Sequence, residues 1–440
     1  MTSEAQPQSG LVWIRRRWGL VKNPFPATGV ARIGGTDARE NGLLYAPDVH
    51  AEQLRQVIDK FVLGMSYSGL KFGFLWSEGG SAGDFDARGF GKSVLMQHVA
   101  GRVNNRFGAE VYVSAGLDDE DAAEVPICCM LTSFDTAHTR TLGAALFAAV
   151  EYAVLTVLED GATLAGKLRN RLIAKLGTDD VEELTATVVD GHRALRGRTL
   201  GPPDERLIGV LCSSNPTDAG DYLMRISPTT RSRSGSTHMA TFLLFAAAAG
   251  MKHVLLFCDQ LEDLASTTTA KAKRDLEIER FRDVVVETLP MADMMTVIVT
   301  MHPRAALAIG TAWELADLPN FALTNQNERS TVRLSALRDA GQAAQLLKPY
   351  LSAATKPGTV RPEGDELFPF TYDAVVCLFS MSSRKPRDVL RKAHAVLDAA
   401  AVKNLARIEA EDVLRYFDAT APRPRDGFGL ASGDLDWSRR

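Results

Sequence analysis

The sequence lacks what would tie it to an oxidising compartment or a membrane. Its 440 residues hold five cysteines, Cys128, Cys129, Cys212, Cys258 and Cys377. The number is odd, each lies in or beside an apolar run, and no CxxC pair or zinc-spaced Cys/His group occurs. A disulfide framework is thereby excluded, and buried free thiols in a reducing environment are expected. Long apolar runs are lacking as well. The longest, Thr241 to Met251, falls well short of the roughly 20 residues that cross a bilayer. The opening MTSEAQPQSG shows no basic-then-apolar secretory pattern. No membrane segment is expected, and the expected location is cytoplasmic. Charge of one sign is lacking too. Lys and Arg number 50 against 54 Asp and Glu, a formal net charge of −4. That balance speaks against a dedicated nucleic-acid coat, although local basic stretches remain at Arg15–Arg17 and Arg231/Arg233.

What is present is ordinary globular composition, 45% hydrophobic and 24% charged, enough for a sizeable core. Short apolar runs have the length of buried strands: KFGFLW (71–76), VPICCMLTSF (125–134), HVLLFCD (253–259), MMTVIVTM (294–301) and STVRLSAL (330–337). Between them, apolar residues recur at helical spacing near 48–63, 93–107, 141–159, 239–249, 273–287 and 339–351. Strands alternating with helices predict an α/β fold with a parallel sheet in three layers. Residues 1–40, rich in Gly, Pro and Arg, are expected to form an extended N-terminal arm. Residues 41–355 are read as the core, with 160–237 a helical insertion ending in the polar stretch PTTRSRSGST. A Pro/Gly/Glu linker then opens a helical lid over 356–417, and 418–440 read as a disordered tail.

The strongest motif is Arg88-Gly89-Phe90-Gly91-Lys92-Ser93, between an apolar strand and a helix. Binding a phosphate chain needs backbone N–H groups converging on one cavity. Glycines permit that path, and a helix starting at the lysine adds its positive end. Gly89, Phe90, Gly91, Lys92, Ser93 and Val94 are therefore the predicted nucleotide-binding residues. Lys92 is placed on the β- and γ-phosphates and Ser93 on Mg²⁺. The usual pattern has glycine at position 86; Asp86 stands there, and Gly83 three residues earlier points to an enlarged loop.

The second motif is HVLLFCDQLEDL (253–264). Asp259 ends an apolar run, where an aspartate can hold Mg²⁺. Gln260 follows. A glutamine orients water but cannot take its proton, which predicts slow hydrolysis, with Glu262 the preferred base. The next strand ends in Thr300, Met301, His302, Pro303 and Arg304. Ligands of a parallel sheet lie at the carboxyl ends of its strands, so Thr300 or His302 is a candidate contact for the γ-phosphate or the attacking water. Arg304 and Arg329 read either as fingers reaching a neighbouring subunit or as surface arginines. Arg387 lies in the first turn of a helix opened by Pro386, a place from which a cation can meet phosphate.

Together these segments resemble the AAA+ ATPases of the origin-recognition and replication-initiator clade, and the related STAND NTPases. NPF (23–25) and LYAPDVHAEQLRQVIDKF (44–61) look like the arm and first helix, and RGFGKS (88–93) like Walker A. LLFCDQLEDL (255–264) looks like a STAND-type Walker B, VIVTMHPRA (297–305) stands at sensor 1, and SSRKPRDVLRKAH (382–394) looks like the sensor 2 helix with Arg387 in that role. The resemblance implies an ATP-Mg²⁺-dependent switch or motor subunit that acts on a protein partner, a second copy or DNA. Two alternatives stand beside it: a non-hydrolysing nucleotide-binding scaffold, and a DNA-binding loader, the latter unsupported by net charge.

Overall fold

The computed structural model describes residues 9–29, 31–35, 37–63, 72–77, 88–134, 141–194, 202–261, 271–289, 294–318 and 328–420. Among these, five strands form one sheet: β1 (Phe72–Ser77), β2 (Ile127–Ser133), β3 (His253–Asp259), β4 (Met295–Met301) and β5 (Thr331–Leu334). The order is β2-β3-β4-β1-β5 and every pairing is parallel. The expected α/β class with a parallel sheet is what the chain adopts.

The strands read as unbroken apolar runs because both sheet faces are covered. Successive side chains alternate between faces. Val254, Leu256 and Cys258 of β3 join one apolar cluster, while Leu255 and Phe257 join another on the opposite side. In β2, Cys128 and Met130 face the first cluster, and Ile127, Cys129 and Leu131 the second. Burial pushes the Cys128 thiol up to about 12, so it stays protonated at neutral pH.

Helices α1 (Gly10–Arg16), α2 (Ala51–Val57), α3 (Lys92–Arg106), α4 (Ala109–Ser114) and α5 (Asp119–Glu124) come first along the chain. Of these, α2 to α5 bury residues in the second cluster. The other face carries α6 (Leu142–Leu155), α7 (Leu164–Leu176), α8 (Val181–Ala194), α9 (Glu205–Cys212), α10 (Asp218–Met224), α11 (Pro228–Ala248), α12 (Lys271–Phe281) and α13 (Pro303–Leu315). Oxygen-bearing caps start several of them. Thr141, Thr163, Asp204 and Ser227 each accept a backbone N–H of the first turn. A third cluster holds α14 (Ala340–Ala354), α15 (Tyr372–Met381), α16 (Pro386–Val402) and α17 (Ala410–Thr420).

Three expectations are corrected. Residues 228–237, read as a polar end to the insertion, are the first half of α11. Ser227 caps it and Pro228 sits at its first position. The polar half is helical because it packs backbone to backbone on α6: a Cβ at Gly235 would overlap the carbonyl of Gly143, and one at Gly143 would overlap that of Ser232. Gly235→Val is therefore expected to force the two helices apart and cost about 3 kcal/mol, read as a lowered melting temperature.

Residues 10–16 are a helix where an extended arm was expected. Ile14 and Trp18 are buried in the third cluster. The indoles of Trp13 and Trp18 donate to the carbonyls of Leu405 (2.7 Å) and Ala406 (3.2 Å). The arginines masked an apolar face that tertiary packing uses. Lastly, α17 runs on to Thr420, past the start of the expected tail; the rest of that tail lies outside the described residues.

The NPF segment also has a clear local role. Asn23 Oδ1 accepts the Phe25 N–H (3.1 Å), and its amide donates to the His394 carbonyl (3.0 Å) and to Asp398 (2.7 Å). Phe25 is fully buried, and its carbonyl lies 2.8 Å from His394 Nδ1. The N-terminal segment is thus strapped across α16.

Candidate functional site

The register of the sheet sets the site. β3 and β4 run parallel with Cys258 beside Val299, which brings Asp259 next to Thr300 at the carboxyl end. β1 lies on the other side of β4, with Leu75 beside Thr300 and Trp76 beside Met301, so Ser77 comes just past that level, beside His302. The glycine loop over 88–91 enters α3 at Lys92.

Gly89 and Gly91 take φ of 89° and 90°. Glycine adopts this left-handed region without the Cβ penalty, and here it turns the loop backbone into the helix start. Gly91 is the N-cap of α3 and uses no side chain for capping. The first N–H groups of α3 therefore face the loop rather than a capping oxygen, which makes an anion cradle. Lys92 is buried, and its Nζ donates to Ser77 Oγ.

The Ser93 hydroxyl donates to Asp259 Oδ2. The other carboxylate oxygen, Oδ1, accepts from the Thr300 hydroxyl (2.7 Å) and from the Gln260 N–H (3.1 Å). That same N–H also approaches the Thr300 oxygen (3.0 Å). Gln260 has φ of 55°, a region costly for a residue with a Cβ. It is held there by these two hydrogen bonds, and such strain concentrates at functional sites.

A cavity of about 370 Å³ opens between these residues and the C-terminal helices. It lies within the usual range for a small-molecule site. Gly89 to Val94, Asp259, Gln260, Thr300 and His302 line its sheet side. Pro386, Arg387 and Leu390 of α16 line it from across, with Leu346 and Tyr350 of α14. Arg387 touches the loop directly. Its N–H donates to the Gly89 carbonyl (3.2 Å) and its Nε to the Thr28 carbonyl (3.4 Å). A Cβ on Gly89 would lie 2.9 Å from Arg387 Cβ, and one on Gly29 would lie 2.9 Å from its Cγ. Phe90 is among the lining residues and is buried, with Lys385 Nζ 5.6 Å from its ring centre.

Lys92, Ser93, Asp259, Gln260, Thr300 and Arg387, far apart in sequence, thus meet around one cavity. The Thr300 hydroxyl donates to Asp259, and Thr300 and His302 both line the cavity. Arg304 lies in the first turn of α13. Glu262, Asp86 and Gly83 lie outside the described residues.

Sequence reasoning missed the wall contributed by Leu44, Tyr45, Ala46, Val49 and His50, in and before the 3-10 turn Pro47–His50. Tyr45 stacks on His98 of α3 at 4.3 Å between ring centres. Burial lowers His50 and His98 to about 4 each, so both rings are neutral at pH 7. The available signal was a lone aromatic and a lone histidine within a helical pattern, which spacing alone does not mark.

The donor set suits Mg²⁺. This cation takes one or two protein oxygens and completes its shell with water and phosphate. Ser93 Oγ and Asp259 Oδ2 are such a pair at the cradle's mouth. Among the described residues no group of three or more His, Cys, Asp or Glu could hold a metal by itself. No described helix is long and apolar enough to cross a membrane.

The parallel sheet, the glycine turn after β1 and the helix that starts at Lys92 define the class: an α/β fold of the P-loop NTPase type. No family model matches the sequence, and no curated protein matches it. Among solved structures, the chain is similar to the ORC2 protein of Aeropyrum pernix, determined as ADPNP-ADP complexes. The two share 10% identity at a TM-score of 0.41, over 92% of this chain and 72% of that one.

Proposed function

We propose that the chain is an ATP-binding, slowly ATP-hydrolysing P-loop protein of the AAA+ origin-recognition-like kind. In this reading nucleotide sits between the sheet core and a lid over 356–417, with which α14 packs, and sets the angle between them for a partner to sense. One observation carries it: Lys92 and Ser93 at the start of α3 meet Asp259 at the end of β3 on one wall of a cavity whose other wall includes Arg387 of α16. The helix α16, with Arg387 on its first turn, favours the AAA+ side of the sequence resemblance over the STAND side.

The loop N–H groups and Lys92 bind the phosphate chain. Ser93 and Asp259 hold Mg²⁺, which when bound neutralises charge on the phosphates. Thr300 fixes the carboxylate so that Oδ2 is turned toward Ser93. Gln260 orients the attacking water. Glu262 is the proposed base and Arg304 a proposed finger for a neighbouring copy. The DNA-loader alternative loses one support. Arg231 is engaged inside the helical layer, with Glu151 at 2.9 Å, the carbonyls of Ile226 and Leu223, and the ring of Phe147.

The test is titration of the full chain with labelled ATP, with and without Mg²⁺, followed by phosphate release. Saturable Mg²⁺-dependent binding is expected; no binding up to about 1 mM ATP sinks the proposal. Release of phosphate separates the ATPase from the non-hydrolysing scaffold. Arg387→Ala is expected to weaken ATP about tenfold, from one lost charge-assisted contact, and to make the linker near 356–367 easier to proteolyse in the presence of ATP.

A further inference from the structure

Asn104 is fully buried on α3, among the apolar residues Val99, Ala100 and Val103. Asparagine is a poor helix former, because its amide competes for backbone partners. Here the amide has its backbone partner on another element. Its Oδ1 accepts the Cys129 N–H (2.7 Å) and its Nδ2 donates to the Cys129 carbonyl (2.9 Å). Cys129 belongs to β2, at the edge of the sheet. One row of backbone groups on such a strand has no strand partner, and the Asn104 amide satisfies two of them. Next to it, the Phe107 carbonyl accepts the Ile127 N–H (3.0 Å). Lys167 of α7 donates to the Asn105 carbonyl (2.5 Å). The last turn of α3 is therefore pinned to β2.

Cys129 lies beside Leu255 of β3, so the pin holds α3 at a set position along the strand that ends in Asp259. Ser93 lies about 16 Å along α3 from Asn104, from the rise of a helix. Asp259 lies about 13 Å along β3 from Leu255, from the rise of a strand. These two rods, joined at the rear through β2, meet at the front as Ser93 Oγ and Asp259 Oδ2. A slide of α3 by an ångström would part them. The glycine loop and Lys92 are continuous with α3 and would move with it, so the anion cradle would stay whole.

We propose that Asn104 is a positioning residue of the nucleotide site: its two hydrogen bonds to Cys129 set the register of the phosphate helix on the sheet, and thereby bring Ser93 and Asp259 together to hold Mg²⁺. This rests on the nucleotide reading above.

ATP binding with and without Mg²⁺, and phosphate release, are measured on the full-length wild type, Asn104→Leu, Asn104→Gln and Arg169→Met. Leucine keeps the shape and removes both hydrogen bonds. Glutamine keeps the amide on a stem one methylene longer, so the same two bonds hold α3 farther from β2. Arg169→Met is the control, removing a bond to another helix-end carbonyl, that of Cys212 (2.9 Å), away from α3. Both Asn104 variants are expected to lose most of the Mg²⁺ enhancement of ATP binding and about 10- to 100-fold in kcat, the cost of a misplacement near 1 Å, while metal-free affinity changes less than about threefold. Arg169→Met is expected to keep both. If Asn104→Leu does not fold, Asn104→Gln decides; if the wild type releases no phosphate, the binding arm decides. Folded Asn104 variants with the wild-type Mg²⁺ response overturn the proposal. So does an equal loss of metal-free binding, or the same loss in Arg169→Met. Absence of any ATP binding by the wild type overturns the nucleotide reading itself, and this proposal with it.

Discussion

Replacing Lys92 by alanine is expected to weaken ATP binding by at least about 100-fold and to remove measurable hydrolysis. The ammonium is buried at the floor of the cradle, where a phosphate anion would gain far more from it than in water. The ammonium donates to the Ser77 hydroxyl, a contact the variant gives up. The variant should keep its fold, melting within a few degrees of the wild type when no nucleotide is present. Thermal melting separates the two effects. Saturating ATP at 100 times its dissociation constant should stabilise the wild type by about 2.7 kcal/mol and the variant by almost nothing. A variant that melts like the wild type and still shifts with ATP would remove Lys92 from the site.

Asp259→Asn is expected to lower turnover about 1,000-fold while changing ATP affinity in the absence of Mg²⁺ far less. Asparagine is nearly isosteric. Its oxygen can still accept from Thr300 and the Gln260 N–H, so the strand end keeps its shape. What disappears is the negative charge beside Ser93. The measurement is the Mg²⁺ dependence of binding and phosphate release. Magnesium should strengthen ATP binding in the wild type and have little effect in the variant. An unchanged magnesium response would show that Asp259 does not hold the cation.

The sheet was legible because its chemistry is local. The four strands β1 to β4 are mostly apolar runs, and β3 begins at His253 and ends at Asp259, the bounds its pattern marks. The glycine loop was legible for the same reason. Sequence spacing did not reveal α1 or the polar half of α11. Both are held by partners hundreds or dozens of residues away: Trp13 by Leu405, and Gly235 by Gly143. Polar composition suggests loop until a neighbouring backbone approaches so closely that only glycine fits. His50 and Tyr45 escaped for a related reason. Their place on the cavity wall follows from how the segment before α2 folds against α3 and the C-terminal helices, and nothing in their spacing encodes that.

Arg387 is a latch with three catches. Its backbone is joined to the glycine loop, its side chain to Thr28, and its stem fills the space that two missing Cβ atoms leave at Gly29 and Gly89. Sliding the first turn of α16 outward by an ångström would break all three together. The mouth of the cavity should consequently open in a single snap rather than by degrees. The strap at Asn23 and Phe25 would travel with it, so the helix and the first part of the chain should report the same motion to any probe attached to either.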